Sequence, residues 1–238
     1  MSPLRRWLRK LIHYPILGFG FRLLRASKFE RVLRAWEMQH DDFYFIQVGA
    51  HNGVTSDPFH RFVIEGWWNV VLVEPQPQAC HILQEIYRDR SDIKVVPAAI
   101  GSKDGVLTLF KVRDDAQDVP YWATQLASAR REVIASHVDR IPQIESLIVE
   151  IEVPCRSLAS LFAESRFPRL DLLAVDVEGY DFEVVKQIDQ LPQLPKMVYF
   201  EHVHLTSEDY QQSLRFLHSL GYRTLTIDGD TFARSGSC

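Results

Sequence analysis

The 238-residue chain is poor in cysteine: Cys80, Cys155 and Cys238 are too few, too far apart and odd in number for a disulfide framework, and no CxxC pair offers a metal site. A reducing cytoplasm suits such a chain. Long apolar runs are missing too. Ile12 to Phe21 is broken by Tyr14-Pro15, Gly18 and Gly20, too short to cross a bilayer, and no A-x-A cleavage pattern follows it. There is no internal repeat and no low-complexity tract. With 46% hydrophobic residues and a net charge of only −4, disordered and collagen-like classes are excluded. The length suits one substantial core with an appendage, placed at residues 1–40, before a main domain at 41–238.

Acidic residues are scarce at the start. Residues 1 to 34 hold nine Lys or Arg against the single acid Glu30, while the rest of the chain carries 18 basic and 30 acidic residues. Leu4, Trp7, Leu8, Leu11 and Ile12 recur at helical spacing with Arg5, Arg6, Arg9 and Lys10 opposite, which predicts a basic amphipathic helix. Two kinds of apolar partner suit it equally. One is an anionic membrane surface, with the stripe sunk in the interface; the other is protein, either the main domain or a second copy in a homo-oligomer. No nucleic acid is expected, since no recognised binding module accompanies the charge.

From residue 43 short apolar runs alternate with helical stretches. Phe43 to Val48, Val70 to Val73, Lys94 to Val96, Leu170 to Val175, Met197 to Phe200 and Tyr222 to Ile227 read as strands apolar on both faces. Helices are predicted near 58–65, 77–88, 181–190 and 207–219. The alternation predicts an α/β fold with a doubly wound, mainly parallel sheet. Thr224 to Ile227, Asp228-Gly229 and Thr231 to Ala233 form a hairpin signal, so an antiparallel strand is expected to close one edge.

Ligands of such sheets sit at the carboxyl ends of the strands. After the first strand comes Gln47-Val48-Gly49-Ala50-His51-Asn52-Gly53, in which Gly49 permits a tight turn and Gly53 a backbone angle that a side chain penalises. Asp57 and Pro58 predict a helix start, as N-cap and first helical residue. The second strand ends in Glu74-Pro75. Glu74 lies 21 residues beyond Gly53, the interval at which an acid can accept hydrogen bonds from both hydroxyls of a ribose bound over the first turn. The middle glycine of the dinucleotide fingerprint is replaced by His51, which counts against NAD or FAD. A cofactor with a ribose and no phosphate tolerates the change, and S-adenosylmethionine is the obvious one.

Over roughly residues 43 to 205 the chain resembles the FkbM-type family of S-adenosylmethionine-dependent methyltransferases. The segments that carry the likeness are Phe45 to Gly53, Asp57-Pro58, Val73-Glu74-Pro75, Ala98 to Gly101, Leu170 to Asp181 and Pro195 to Glu201. The most specific is D-x-x-x-x-D-x-E-G-x-D, here Asp171, Asp176, Glu178, Gly179 and Asp181. The resemblance implies a class I, Rossmann-like methyltransferase fold, cofactor contacts at Gly49, Ala50, Gly53, Glu74 and the Ala99 region, and transfer to a hydroxyl, often on a sugar or a natural-product scaffold. Gln47 stands where family members commonly carry an acid, and His51-Asn52 where Asn-Asp or Asn-x is common. With Gln47, His51, Pro75 and Asp176 at the same strand ends, these residues form the expected cofactor site.

A hydroxyl attacks a sulfonium methyl only once its proton is removed, by a base of near-neutral pKa or by a divalent cation that acidifies it. Asp176 ends the fourth strand and Glu201-His202 follows the fifth. His202 is the expected base, with Asp176 and Glu201 as orienting or metal-binding carboxylates for Mg²⁺ or another divalent cation. His51 is a second candidate. His13, His204 and His218 read as structural, and Glu178 and Asp181 as caps of the next helix. The stretch Arg113 to Ile148, with Tyr121-Trp122, reads as a lid or acceptor pocket. The expected activity is O-methylation of a sugar, glycolipid or secondary metabolite by a cytoplasmic enzyme, held at a membrane face if its basic start binds lipid. The alternatives are a nucleotide-dependent oxidoreductase and a cofactor-binding scaffold without turnover.

Overall fold

The computed structural model describes residues 28–40, 42–55, 57–66 and 68–236; the amphipathic run Leu4 to Ile12, His13 and Cys238 lie outside them. Strand β1 (Phe43–Val48) is central, parallel to β2 (Trp68–Val73) on one side and to β8 (Leu172–Val175) on the other. Val48 aligns with both Val73 and Val175, so the three strands end together. Strand β3 (Ile93–Val96) pairs with β2, and β9 (Met197–Glu201) with β8, both parallel. With β10 (Tyr222–Ile227) and β11 (Asp230–Ser235), the seven-stranded order is β10-β11-β9-β8-β1-β2-β3.

The hairpin is present, with one correction to the expected edge. Strand β10 (Tyr222–Ile227) takes the edge, and the antiparallel strand β11 (Asp230–Ser235) lies one place inside it, paired with both β9 and β10. The two-residue turn at Asp228-Gly229, with Asp228 at φ 50°, returns the chain into the gap against β9.

Alternate residues of β1 explain the three layers, because successive side chains of a strand face opposite ways. Ile46 and Val48 belong to a core with Leu158, Leu161, Val184 and Leu217, while Phe43 and Phe45 belong to one with Phe29, Leu33, Phe62, Leu83 and Tyr87. Helix α1 (Lys28–Gln39) buries Phe29, Leu33 and Trp36, and the Phe29 ring centroid lies 4.7 Å from that of Tyr199 on β9. Phe29 and Leu33 of the basic start therefore have protein as their apolar partner. Arg34, 4% exposed, lies over the Phe62 ring at 4.8 Å.

Helix α2 (His60–Glu65) starts two residues later than predicted. Asp57 accepts the N–H of Phe59 at 2.7 Å, so its carboxylate shapes the turn before the helix and does not cap it. Helix α3 (Pro77–Tyr87) carries its proline in the first turn.

The hydropathy pattern missed a second sheet of order β4-β7-β5-β6, made of β4 (Ala99–Ile100), β5 (Gly105–Val112), β6 (Ala127–Ser128) and β7 (Ile148–Arg156). Strands β5 and β7 pair antiparallel from Gly105 with Cys155 to Val112 with Ile148. Between them residues 113–147 hold a 3₁₀ turn at Tyr121–Gln125, helix α4 (Arg131–Ala135), a second 3₁₀ turn and helix α5 (Ile144–Leu147), around a small core of Val112, Ala123, Leu126, Ile134, Ile141 and Ile144. Helices α6 (Leu158–Ser165), α7 (Asp181–Val185) and α8 (Ser207–Ser219) complete the chain.

Candidate active site

The chain leaving β1, β2, β3 and β8 turns over one end of the sheet, and the crevice there has about 950 Å³ of open space, its mouth included. Its walls come from Gly49 and His51 after β1, Glu74 to Gln76 after β2, Ala98 to Ile100 after β3, and Asp176 to Glu178 with Tyr180 after β8. Leu107, Leu109 and Ala127 of the second sheet, with Gln125 and Ala129 on either side of β6, form the opposite side. Gln76 holds the two sides together by donating to the carbonyl of Gln125 at 2.9 Å.

Gly49 is required by crowding. It sits at φ 81°, and a Cβ there would lie 1.7 Å from the carbonyl oxygen of Asp176. The N–H groups of Gly49 and Ala50 both donate to the Val73 carbonyl at 3.0 Å. Gly53, at φ 64°, packs against Leu83, and Ala50 is buried in the core; neither lines the crevice. Gln47 is buried beside Asp57 and does not line the crevice, and among the described residues its Oε1 has no hydrogen-bond partner.

Glu74 is only 3% exposed, and its two oxygens take one backbone N–H each, from His51 at 2.8 Å and Gln76 at 2.7 Å. A carboxylate oxygen has two acceptor positions, so one remains on each. Burial pushes its pKa up to about 7 against the pull of those two hydrogen bonds. His51, at φ 44°, keeps its imidazole below the usual range because burial disfavours the cation.

Asp176 is exposed and lines the crevice. Desolvation, reinforced by Asp230 and Asp57, raises its carboxyl to about 6. The loop that follows is braced from within. Asp181, fully buried, accepts the N–H groups of Val177 at 3.2 Å and Gly179 at 3.0 Å, and Ser128 donates to the Glu178 carbonyl at 2.6 Å. Contrary to expectation, neither acid caps the next helix: Asp181 turns back to hold the loop, and Glu178, at φ 52°, faces the crevice and His204.

His204 is where the structure departs most from the expected constellation. Its Nε2 lies 3.2 Å from Glu178 Oε2 and 3.9 Å from Glu201 Oε2. Desolvation, with Asp176 as the main neighbouring charge, lifts Glu178 to about 8 and Glu201 to about 9. His204 is lowered by desolvation and by His137, whose ring centroid is 5.7 Å away. His202 instead bonds Thr231 Oγ1 through Nδ1 at 3.0 Å and stacks on Tyr210 at 4.4 Å, on the hairpin side and outside the crevice lining. So Asp176 meets the crevice, Glu201 meets His204, and His202 meets neither. The spacing Glu201-x-x-His204 directly after a strand was the available signal for the missed pair. In the insertion, Tyr121 is 70% exposed and Trp122 packs with the small core and against His137; neither lines the crevice.

A family model described as the methyltransferase FkbM domain matches residues 47–224. The chain belongs to this family. Its mostly parallel sheet with helices on both faces is the class I, Rossmann-like methyltransferase fold. No curated protein matches the sequence. Among solved structures, the FkbM domain is similar to methyltransferase FkbM from Methylobacillus flagellatus KT at 13% identity and TM-score 0.46, over 81% of this chain and 43% of that one. It thus spans less than half of that protein. Aeropyrum pernix fibrillarin with natively bound S-adenosyl-L-methionine is similar at 14% identity and TM-score 0.43, over 80% and 66% of the two chains. Precorrin-6y C5,15-methyltransferase from Geobacter metallireducens GS-15 is similar at 10% identity and TM-score 0.42, over 89% and 90%.

Proposed function

We propose that this FkbM domain transfers a methyl group from S-adenosylmethionine to a hydroxyl of a sugar, glycolipid or secondary metabolite. The observation that carries the reading is Glu74, a buried carboxylate in the crevice wall with one free acceptor position on each oxygen, suited to the two hydroxyls of a ribose. The donor set fits the cofactor. Pro75, Ala98 and Ala99 supply an apolar wall beside it for an adenine, and Asp176 on the crevice floor supplies negative charge for a sulfonium and an ammonium group.

When bound, the cofactor supplies a methyl carried on a sulfonium, already activated for in-line displacement. The protein's share is alignment and removal of the acceptor's proton. Glu74 and the backbone around Gly49 fix one end of the crevice. The other end reaches Glu178, which belongs both to the crevice wall and to the group with Glu201 and His204. In this reading that group, in place of His202, handles the acceptor's proton.

Purified protein incubated with labelled S-adenosylmethionine and a panel of sugar acceptors tests the reading. Transfer of label supports it; binding without transfer to any acceptor favours the scaffold alternative, and binding of NAD in place of S-adenosylmethionine overturns it. Among the described residues no helix is long and apolar enough to cross a membrane. For the basic start, the proposal is a cytoplasmic protein touching an anionic membrane surface. Liposome association that survives removal of residues 1–27 would refute this.

A further inference from the structure

Glu178, Glu201 and His204 come from three positions that only the fold joins: the loop after β8, the last residue of β9 and the turn beyond it. Their donor atoms all lie within 4.8 Å of one another. Oε2 of Glu178 and Oε2 of Glu201 are both shut off from water, and among the described residues neither has a hydrogen-bond donor. Buried carboxylate oxygens are rarely left so. His204 cannot satisfy them both, because a neutral imidazole has a single N–H and Glu201 stands 3.9 Å from Nε2, beyond hydrogen-bond reach. Orphaned acceptors converging with an imidazole form a donor set that a divalent cation can satisfy.

We propose that Glu178, Glu201 and His204 bind one divalent metal ion of the Mn²⁺ or Zn²⁺ kind. Donors sharing such an ion at bond lengths of about 2.0–2.2 Å stand roughly 3–4.3 Å apart, which the 3.2 Å and 3.9 Å separations already match. One imidazole with two carboxylates suits Mn²⁺, Fe²⁺ or Zn²⁺ better than Ca²⁺, which takes oxygen ligands. Three protein ligands leave coordination positions open. Because Glu178 also lines the crevice, an open position there can receive the acceptor hydroxyl and acidify it. This use of the ion rests on the methyl-transfer reading above; its binding does not.

The test is Mn²⁺ titration of the chelator-stripped full chain, followed by the electron paramagnetic resonance signal of the free ion, with S-adenosylmethionine affinity measured separately in EDTA. The expected result is one bound Mn²⁺ per chain, with affinity at least about tenfold weaker in both Glu178→Gln and Glu201→Gln. The two glutamines preserve shape, and circular dichroism verifies folding. The wild-type stoichiometry decides the matter even where a variant does not fold. No Mn²⁺ uptake, or uptake undiminished in both folded variants, overturns the metal site. Failure to bind S-adenosylmethionine in EDTA strikes the cofactor reading alone, so the two failures are distinguishable.

Discussion

The carboxylate of Glu74 accepts the backbone N–H of His51 at 2.8 Å, and so the end of β2 holds the turn that leaves β1. One side chain thereby shapes the crevice and faces into it.

Replacing Glu74 by Ala removes the acceptor and strands the N–H groups of His51 and Gln76. Hydrogen bonds to a charged group are worth about 1.5–3 kcal/mol, so S-adenosylmethionine affinity should fall at least tenfold in calorimetric titration. Unchanged affinity would move the ribose elsewhere.

Glu74 also predicts a pH dependence. Its folded pKa of about 7 lies above the ordinary 4.5, so the folded protein retains a proton that the unfolded chain releases. Stability from that proton is full below 4.5 and is lost as pH rises through 7. A ribose hydroxyl donating to the ionised carboxylate works in the opposite direction, so cofactor affinity should rise by up to about tenfold between pH 6 and pH 8. The rise should vanish in Glu74→Gln; a rise that persists there assigns the titration to another group.

The two histidines after β9 separate by kinetics. His204→Ala should depress turnover far more than His202→Ala, with cofactor affinity little altered in either, because His204 adjoins Glu178 and Glu201 while His202 is engaged by Thr231 and Tyr210. Equal losses of turnover would return His202 to the reaction.

Gly49→Ala should destabilise more than Gly53→Ala. Both positions have positive φ, but the added methyl at 49 meets the backbone of Asp176 at 1.7 Å, whereas at 53 it meets the flexible end of Leu83 at 2.6 Å. Overpacking of this kind costs about 1–3 kcal/mol, and rigid backbone puts Gly49→Ala at or above the upper end. Thermal melts that rank the variants the other way refute the packing account.

Leu33, fully buried, tests whether α1 is integral to the domain. Leu33→Ala should cost about 2–5 kcal/mol in denaturant unfolding, as for a core leucine. A loss near zero would make α1 a detachable appendage.

The strands of the main sheet were legible because each is a short run of apolar residues bounded by turn formers, a property of neighbours in sequence. Gly49, Glu74 and Asp176 were legible for a related reason: they stand where strands end, and strand ends define the ligand side of such a sheet. Strands β5 and β7 carried a usable signal, since Ile148 to Val153 runs partly in alternation, but their partnership spans the whole of residues 113–147 and no local pattern announces it.

Strand periodicity and turn chemistry by themselves determined that this chain builds a mainly parallel sheet with a crevice beside Glu74. The fold alone decided which side chains share the crevice's far end. Beyond the last residue of β9 the backbone is no longer periodic, and the direction of each side chain is set by what the chain meets: the N–H of His202 is drawn to the carbonyl of Gly229 and its ring to Thr231, across the hairpin. That contact sends His202 away and leaves His204 to face Glu178, and contacts between residues so distant in sequence form only when the whole sheet does.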